Sequence, residues 1–156
     1  MNKLNITIIL LSMLLTACKD EELMLQRIPY KGDELRIDGY YYTQWGTHTT
    51  VMFFYRNGIT LSAMSYGSLD LNSVEKEMVN LYDYIRNDKS GWGVFLITGD
   101  TLEAEIWTTS VGGGLPVYKW KAYIENDTTF RKIAGNVVYH FKQFSPKPDS
   151  TNQWIK

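Results

Sequence analysis

A single cysteine, two histidines, a close pair of glutamates, three consecutive glycines and a large stock of aromatic rings are the groups here that can do chemistry. Cys18 is the only thiol, so no intrachain disulfide is open to it. Its surroundings point to processing. It closes the run Leu15-Thr16-Ala17-Cys18, behind Lys3 and the apolar stretch from Ile6 to Leu15, and ahead of the polar run Lys19-Asp20-Glu21-Glu22. A charged start, a short apolar core and a small-residue cleavage site make a secretory signal peptide over residues 1–17. That stretch is too short to persist as a transmembrane helix.

The remaining polar groups do not assemble into a catalytic set. His48 falls in a turn, Gly46-Thr47-His48-Thr49, and His140 falls mid-strand between Tyr139 and Phe141, facing solvent. A metal centre needs several ligands at close spacing, and none is expected. Glu103 and Glu105 share one strand face. Carboxylates that cleave a glycoside must flank the bond from two sides, so this pair reads as a solvated face. Ser110-Val111-Gly112 does not make a nucleophile elbow. Gly112-Gly113-Gly114 lacks the Lys-Ser/Thr tail and the strand-to-helix setting of a phosphate loop, and reads as a flexible connection. No enzyme activity and no cofactor are expected. A formal net charge of −1 gives no attraction for nucleic acid.

The aromatics are the best binding candidates. The chain holds 11 Tyr, 6 Phe and 5 Trp, more than one small core needs. Tyr40, Tyr42, Trp45, Phe53, Tyr55, Trp92, Trp107, Tyr118 and Trp120 are candidates to line a lumen or a sheet face. Such rings stack a sugar or hold an apolar molecule, and otherwise serve as core and cross-strand partners.

The elements that would position these rings are mostly strands. Leu35 to Trp45 alternates with period two, and Thr49 to Tyr55 follows as a second strand. Asn57-Gly58 is a hairpin signal, returning the chain through Ile59 to Tyr66. Leu71, Val74, Met78, Leu81, Tyr82 and Ile85 then fall at helical spacing, with Asn72 as cap and Glu75 completing a capping-box-like pair. Strands resume over Gly91 to Ile97, Leu102 to Thr108, Pro116 to Ile124, Thr129 to Ile133 and Val137 to Phe144. Residues 18–33 read as a lipidated cysteine and tether, 34–144 as the folded domain and 145–156 as a tail. Trp154-Ile155 either folds back on the domain or frays. About eight antiparallel strands with one helix after the third predict a mainly β protein, an up-and-down barrel. The alternative is an α+β sheet packed on the helix.

Four resemblances add to this reading. Leu15-Thr16-Ala17-Cys18 resembles the lipobox of bacterial lipoproteins, which implies acylation of Cys18 and anchoring in a membrane. The charged run after Cys18 resembles the export signal of Bacteroidota surface lipoproteins. That implies the outer face of the outer membrane, with a periplasm-facing protein as the alternative. The sequential hairpins from Glu34 to Phe144 are similar to a lipocalin-like, or calycin-like, barrel. Asp100-Thr101-Leu102, Asp127-Thr128-Thr129 and Asp149-Ser150-Thr151 resemble the O-glycosylation acceptor of exported Bacteroidota proteins, which implies glycans at Thr101, Thr128 or Ser150. Together these lead to a lipid-anchored envelope module that captures a small apolar ligand or glycan fragment. The alternative is an accessory subunit that docks on an outer-membrane protein.

Overall fold

The computed structural model describes residues 20–156, so Cys18, Lys19 and the signal segment lie outside the described residues. Eight antiparallel strands close into a barrel in sequence order. They are β1 (Gly39–Trp45), β2 (His48–Phe54), β3 (Ile59–Tyr66), β4 (Trp92–Thr98), β5 (Thr101–Trp107), β6 (Val117–Asn126), β7 (Thr129–Lys132) and β8 (Val138–Gln143). β8 returns to β1, pairing Tyr41 with Phe141, and leaves no free sheet edge. The β2–β3 turn is the one that Asn57-Gly58 announces. Gly58 takes a positive φ of 80°, and a Cβ there would meet the Ile28 carbonyl.

Two short helices, α1 (Leu71–Asn80) and α2 (Tyr82–Asn87), replace the single predicted helix. The chain kinks at Leu81, whose φ and ψ leave the helical region. Asp70, not Asn72, caps α1, because its carboxylate accepts from the backbone N–H of Asn72 and Ser73. Glu75 is not part of a capping box. It accepts the Tyr40 hydroxyl at 2.9 Å and pairs with Lys142 at 2.7 Å.

The strands are apolar on both faces over part of the barrel, and this makes two cores. The first fills the lower lumen with Tyr41, Met52, Phe54, Phe95, Leu102 and Phe130. The second lies outside the barrel wall, where Tyr40, Phe53, Tyr55, Leu61, Tyr66 and Trp92 meet α1 and α2 through Val74, Met78 and Ile85. Trp154 and Ile155 fold back onto this outer core. Lys147 fastens the returning tail, donating from Nζ to the carbonyls of Ile37 at 2.6 Å and Phe54 at 2.8 Å.

Residues 20–38, expected as a tether and the start of the first strand, form a strap against the barrel. Asp20 pairs with Lys89 at 2.7 Å. Glu105 is buried, and its carboxylate accepts the N–H of Met24 at 2.5 Å and Leu25 at 2.8 Å while pairing with Lys119 at 2.9 Å. It therefore departs from the solvated face expected of the Glu103 and Glu105 pair. The strap then turns under the barrel, where Tyr30 and Leu35 close the lower lumen. The eight strands of the barrel and the two cores described above are built from residues 20–156, so this part carries a closed sheet and its packing.

Candidate functional site

The strap closes one end of the barrel, and the other end is open. Above the packed lower core lies a cavity of about 470 Å³, within the size range of small-molecule sites. Its floor and side wall include Met52, Ile106, Trp120 and Tyr139. Across the barrel stand Ser62 and Met64 of β3 and Ile85 of α2. Below it, Phe130 stacks between Trp120 and Tyr139, with centroids at 5.8 and 4.8 Å. That stack separates the empty half of the lumen from the filled half.

A bulge in β3 shapes the mouth. The β2–β3 register shifts between Thr50 and Met52, and Met64 takes a φ of 57°. A positive φ is uncommon for a residue with a side chain. Bulges re-aim side chains, and here Met64 and Ser65 both border the cavity although they are chain neighbours. β4 begins only opposite Leu61, so the upper part of β3 has no β4 partner. α2 and the segment to Gly91 fill that breach in the wall, with Tyr84, Asp88 and Ser90 at its rim.

Lys132 is the charged group within the barrel wall that faces this space. It is the last residue of β7, on the same face as the lumenal Phe130. Its Nζ lies 4.4 Å from the ring centre of Trp120, 5.2 Å from Tyr139 and 5.4 Å from Tyr118. Among the described residues no carboxylate lies within ion-pair distance, and its ammonium makes no hydrogen bond. Burial pulls its pKa down from the usual lysine value to about 8. Burial likewise pushes the Tyr139 hydroxyl up to about 12, with the Tyr118 charge adding to it. The Trp120 indole N–H is buried with no acceptor among the described residues. Asp88, at the rim, is engaged by the N–H of Ser90 at 2.9 Å.

The predicted aromatic residues divide among three places. Trp107, Tyr118 and Trp120 border the cavity. Trp107 also belongs to the outer core, and its indole donates to the Glu21 carbonyl at 2.7 Å. Tyr40, Phe53, Tyr55 and Trp92 are buried in the outer core, away from the cavity. Tyr42 packs at the edge of that core. Trp45 is 65% exposed at the β1–β2 turn, stacked on His48 at 5.6 Å. Lys132, Met52 and Met64 carry the cavity but were not among the expected residues. The available signal was a lysine two residues after Phe130 in an alternating strand, which puts it on the same face.

The other expected groups are scattered. His140 is exposed on the outside of the barrel, as its alternation implies. Glu103 pairs with Lys121 at 2.6 Å, so both glutamates are matched by β6 lysines. Thr101, Thr128 and Ser150 are half-exposed at or beside turns. The Thr128 hydroxyl donates to Asn126 at 2.7 Å, and Ser150 accepts from Asn57 at 3.0 Å. Among the described residues, no three His, Cys, Asp or Glu side chains are grouped to hold a metal ion, and no helix is long and apolar enough to cross a membrane. No family model, curated protein or solved structure matches this chain.

Proposed function

We propose that this protein is a lipid-anchored, non-catalytic binding module of the bacterial cell envelope, and that the open half of its barrel holds a small apolar molecule or glycan fragment. The observation that carries the reading is the cavity of about 470 Å³ above a packed aromatic floor. A barrel whose purpose was only structural would gain stability by filling that space, since unfilled apolar volume costs stability. Trp107, Tyr118 and Trp120 are the rings placed to contact the occupant.

The anchor rests on Leu15-Thr16-Ala17-Cys18 and the surface address on Lys19-Asp20-Glu21-Glu22. Two or more acyl chains on Cys18 hold a protein stably on a membrane. With the strap docked on the barrel from Asp20 onward, the domain would sit close to the lipid rather than at the end of a long leash. Digestion of intact cells with an external protease tests the orientation. Loss of the domain fits surface display, and protection puts it in the periplasm. Intact mass of natively produced protein tests Thr101, Thr128 and Ser150, where a lipid increment without hexose increments refutes glycosylation.

The binding reading is tested by titrating residues 20–156 with decanol and with a set of soluble oligosaccharides, following tryptophan fluorescence. A saturable change with either class supports it, and no response to both refutes it. A second reading draws on the exposed groups around the open end. Trp45, Met64, Tyr84 and Val111 all have substantial exposed surface there. They suit docking on an outer-membrane protein, and crosslinking from Trp45 in intact cells tests that role.

A further inference from the structure

We propose that Lys132 anchors the acidic headgroup of an amphipathic monoanion in the upper lumen, with the apolar part of the ligand crossing the barrel toward Met64 and Ile85. This rests on the lumen being a ligand site and names the class of ligand it takes. Three features of the wall carry it.

First, the β6–β7–β8 side of the cavity offers donors without matching acceptors. Among the described residues the buried Trp120 indole N–H has no acceptor, and the half-buried Lys132 ammonium and the Tyr139 hydroxyl beside it have no protein partner. A buried donor such as the Trp120 N–H is normally paired, and hydrogen bonds made to a charged group are the stronger ones. A ligand anion completes this set where a neutral apolar molecule leaves it unpaired.

Second, the opposite wall is different in kind. Met64 and Ile85 present flexible or branched apolar surface there, and Met52 and Ile106 continue it across the floor. Methionine adapts to irregular apolar shapes. Polar recognition on one side and adaptable apolar surface on the other match a molecule with one acidic end.

Third, the charge count limits the headgroup. Lys132 is one positive charge, and the Trp120, Tyr118 and Tyr139 rings about it add none. A carboxylate is balanced by that charge, whereas a doubly charged phosphate ester would keep an unmatched charge in a low-dielectric site. The ring faces hold the ammonium between them by cation–π attraction, which fixes its position before a ligand arrives.

The test compares decanoate with decanol, equal in chain length and different in headgroup, on residues 20–156 and on the Lys132→Met and Lys132→Arg variants. Binding is followed by tryptophan fluorescence and checked by calorimetry at pH 7. The wild type should bind decanoate more tightly than decanol. Lys132→Met should lower the ratio of decanoate to decanol affinity roughly 10- to 100-fold, the range for a charge-assisted hydrogen bond. Lys132→Arg keeps the charge and should restore the preference. Equal affinity for the two molecules in the wild type, or equal losses in Lys132→Met, overturns the headgroup role while decanol binding keeps the lumen as a ligand site. Binding of neither molecule overturns the headgroup role, and failure of the oligosaccharides as well overturns the lumen as a ligand site.

Discussion

Replacing Lys132 with methionine should stabilise the unliganded protein at pH 7, although it removes a charged group from a wall of aromatic rings. Burial lowers the lysine from 10.5 to about 8. One pKa unit is about 1.4 kcal/mol, so holding the ammonium in the lumen costs at most about 3 to 4 kcal/mol. Solvent at the open end screens part of this. The variant also forgoes the cation–π attraction of the rings, which offsets about 0.5–1 kcal/mol of the gain. The net gain is about 1–2 kcal/mol. Its pH dependence has a definite sign. Below pH 8 the lysine is charged in both folded and unfolded chains, and the full cost is present. Between about pH 8 and 10.5 the folded chain has released a proton that the unfolded chain retains, so wild-type stability rises relative to the variant. Urea unfolding of both proteins from pH 6 to 10.5 measures the difference. Lys147, lowered to about 8 by burial with Asp38 opposing the shift, occurs in both proteins and cancels. The Tyr139 hydroxyl, raised to about 12, titrates above the window. A variant that is less stable at pH 7, or a gap that stays constant to pH 10.5, refutes the reasoning.

Three further substitutions probe the frame around the site. Lys147→Met leaves the carbonyls of Ile37 and Phe54 without their donor and should cost about 2–3 kcal/mol in denaturant unfolding. Glu105→Gln weakens the hold on the strap at Met24 and Leu25 and the pairing with Lys119, with an expected loss of about 1–2 kcal/mol. Hydrogen exchange should quicken at Met24 and Leu25 before it does in the strands. Burial alone would raise the Glu105 pKa, but the strap N–H groups and Lys119 outweigh it and hold it low, so the same opening should appear in wild type as pH falls through that lowered value. Gly93→Ala places a Cβ against the Glu105 carbonyl of the paired strand and should cost more than about 2 kcal/mol by thermal unfolding.

The barrel was legible because local signals agreed with the global fold. Asn57-Gly58 marks the β2–β3 turn, alternation marks Leu102 to Thr108, and the Leu71 to Ile85 stripe marks the helical insertion. The kink at Leu81 was not legible, since the apolar spacing continues through it while the backbone does not. Nor was the strap, whose hold on Glu105 runs through backbone N–H groups that every residue except proline possesses.

The site was harder for a physical reason. Period two separates the faces of a strand and does not say which face is inside. Tyr40 and Tyr41 are adjacent and both buried, one under the helices and one in the lumen. The large aromatic count therefore reflects two cores as well as a cavity wall. Lys132 was masked by the ordinary expectation that a strand lysine faces solvent. Only closure of the barrel turns it inward, onto Trp120 and Tyr139.

Methionine-methyl NMR of residues 20–156, titrated with decanol, is the most direct measurement of the lumen as a ligand site. Met52 and Met64 border the cavity, Met78 lies in the outer core, and Met24 is exposed on the strap. The Met52 and Met64 signals should shift together and saturate at one affinity while Met24 and Met78 stay in place. Shifts confined to Met24 or Met78, or no shift at any of the four, would contradict a lumen that binds apolar ligands.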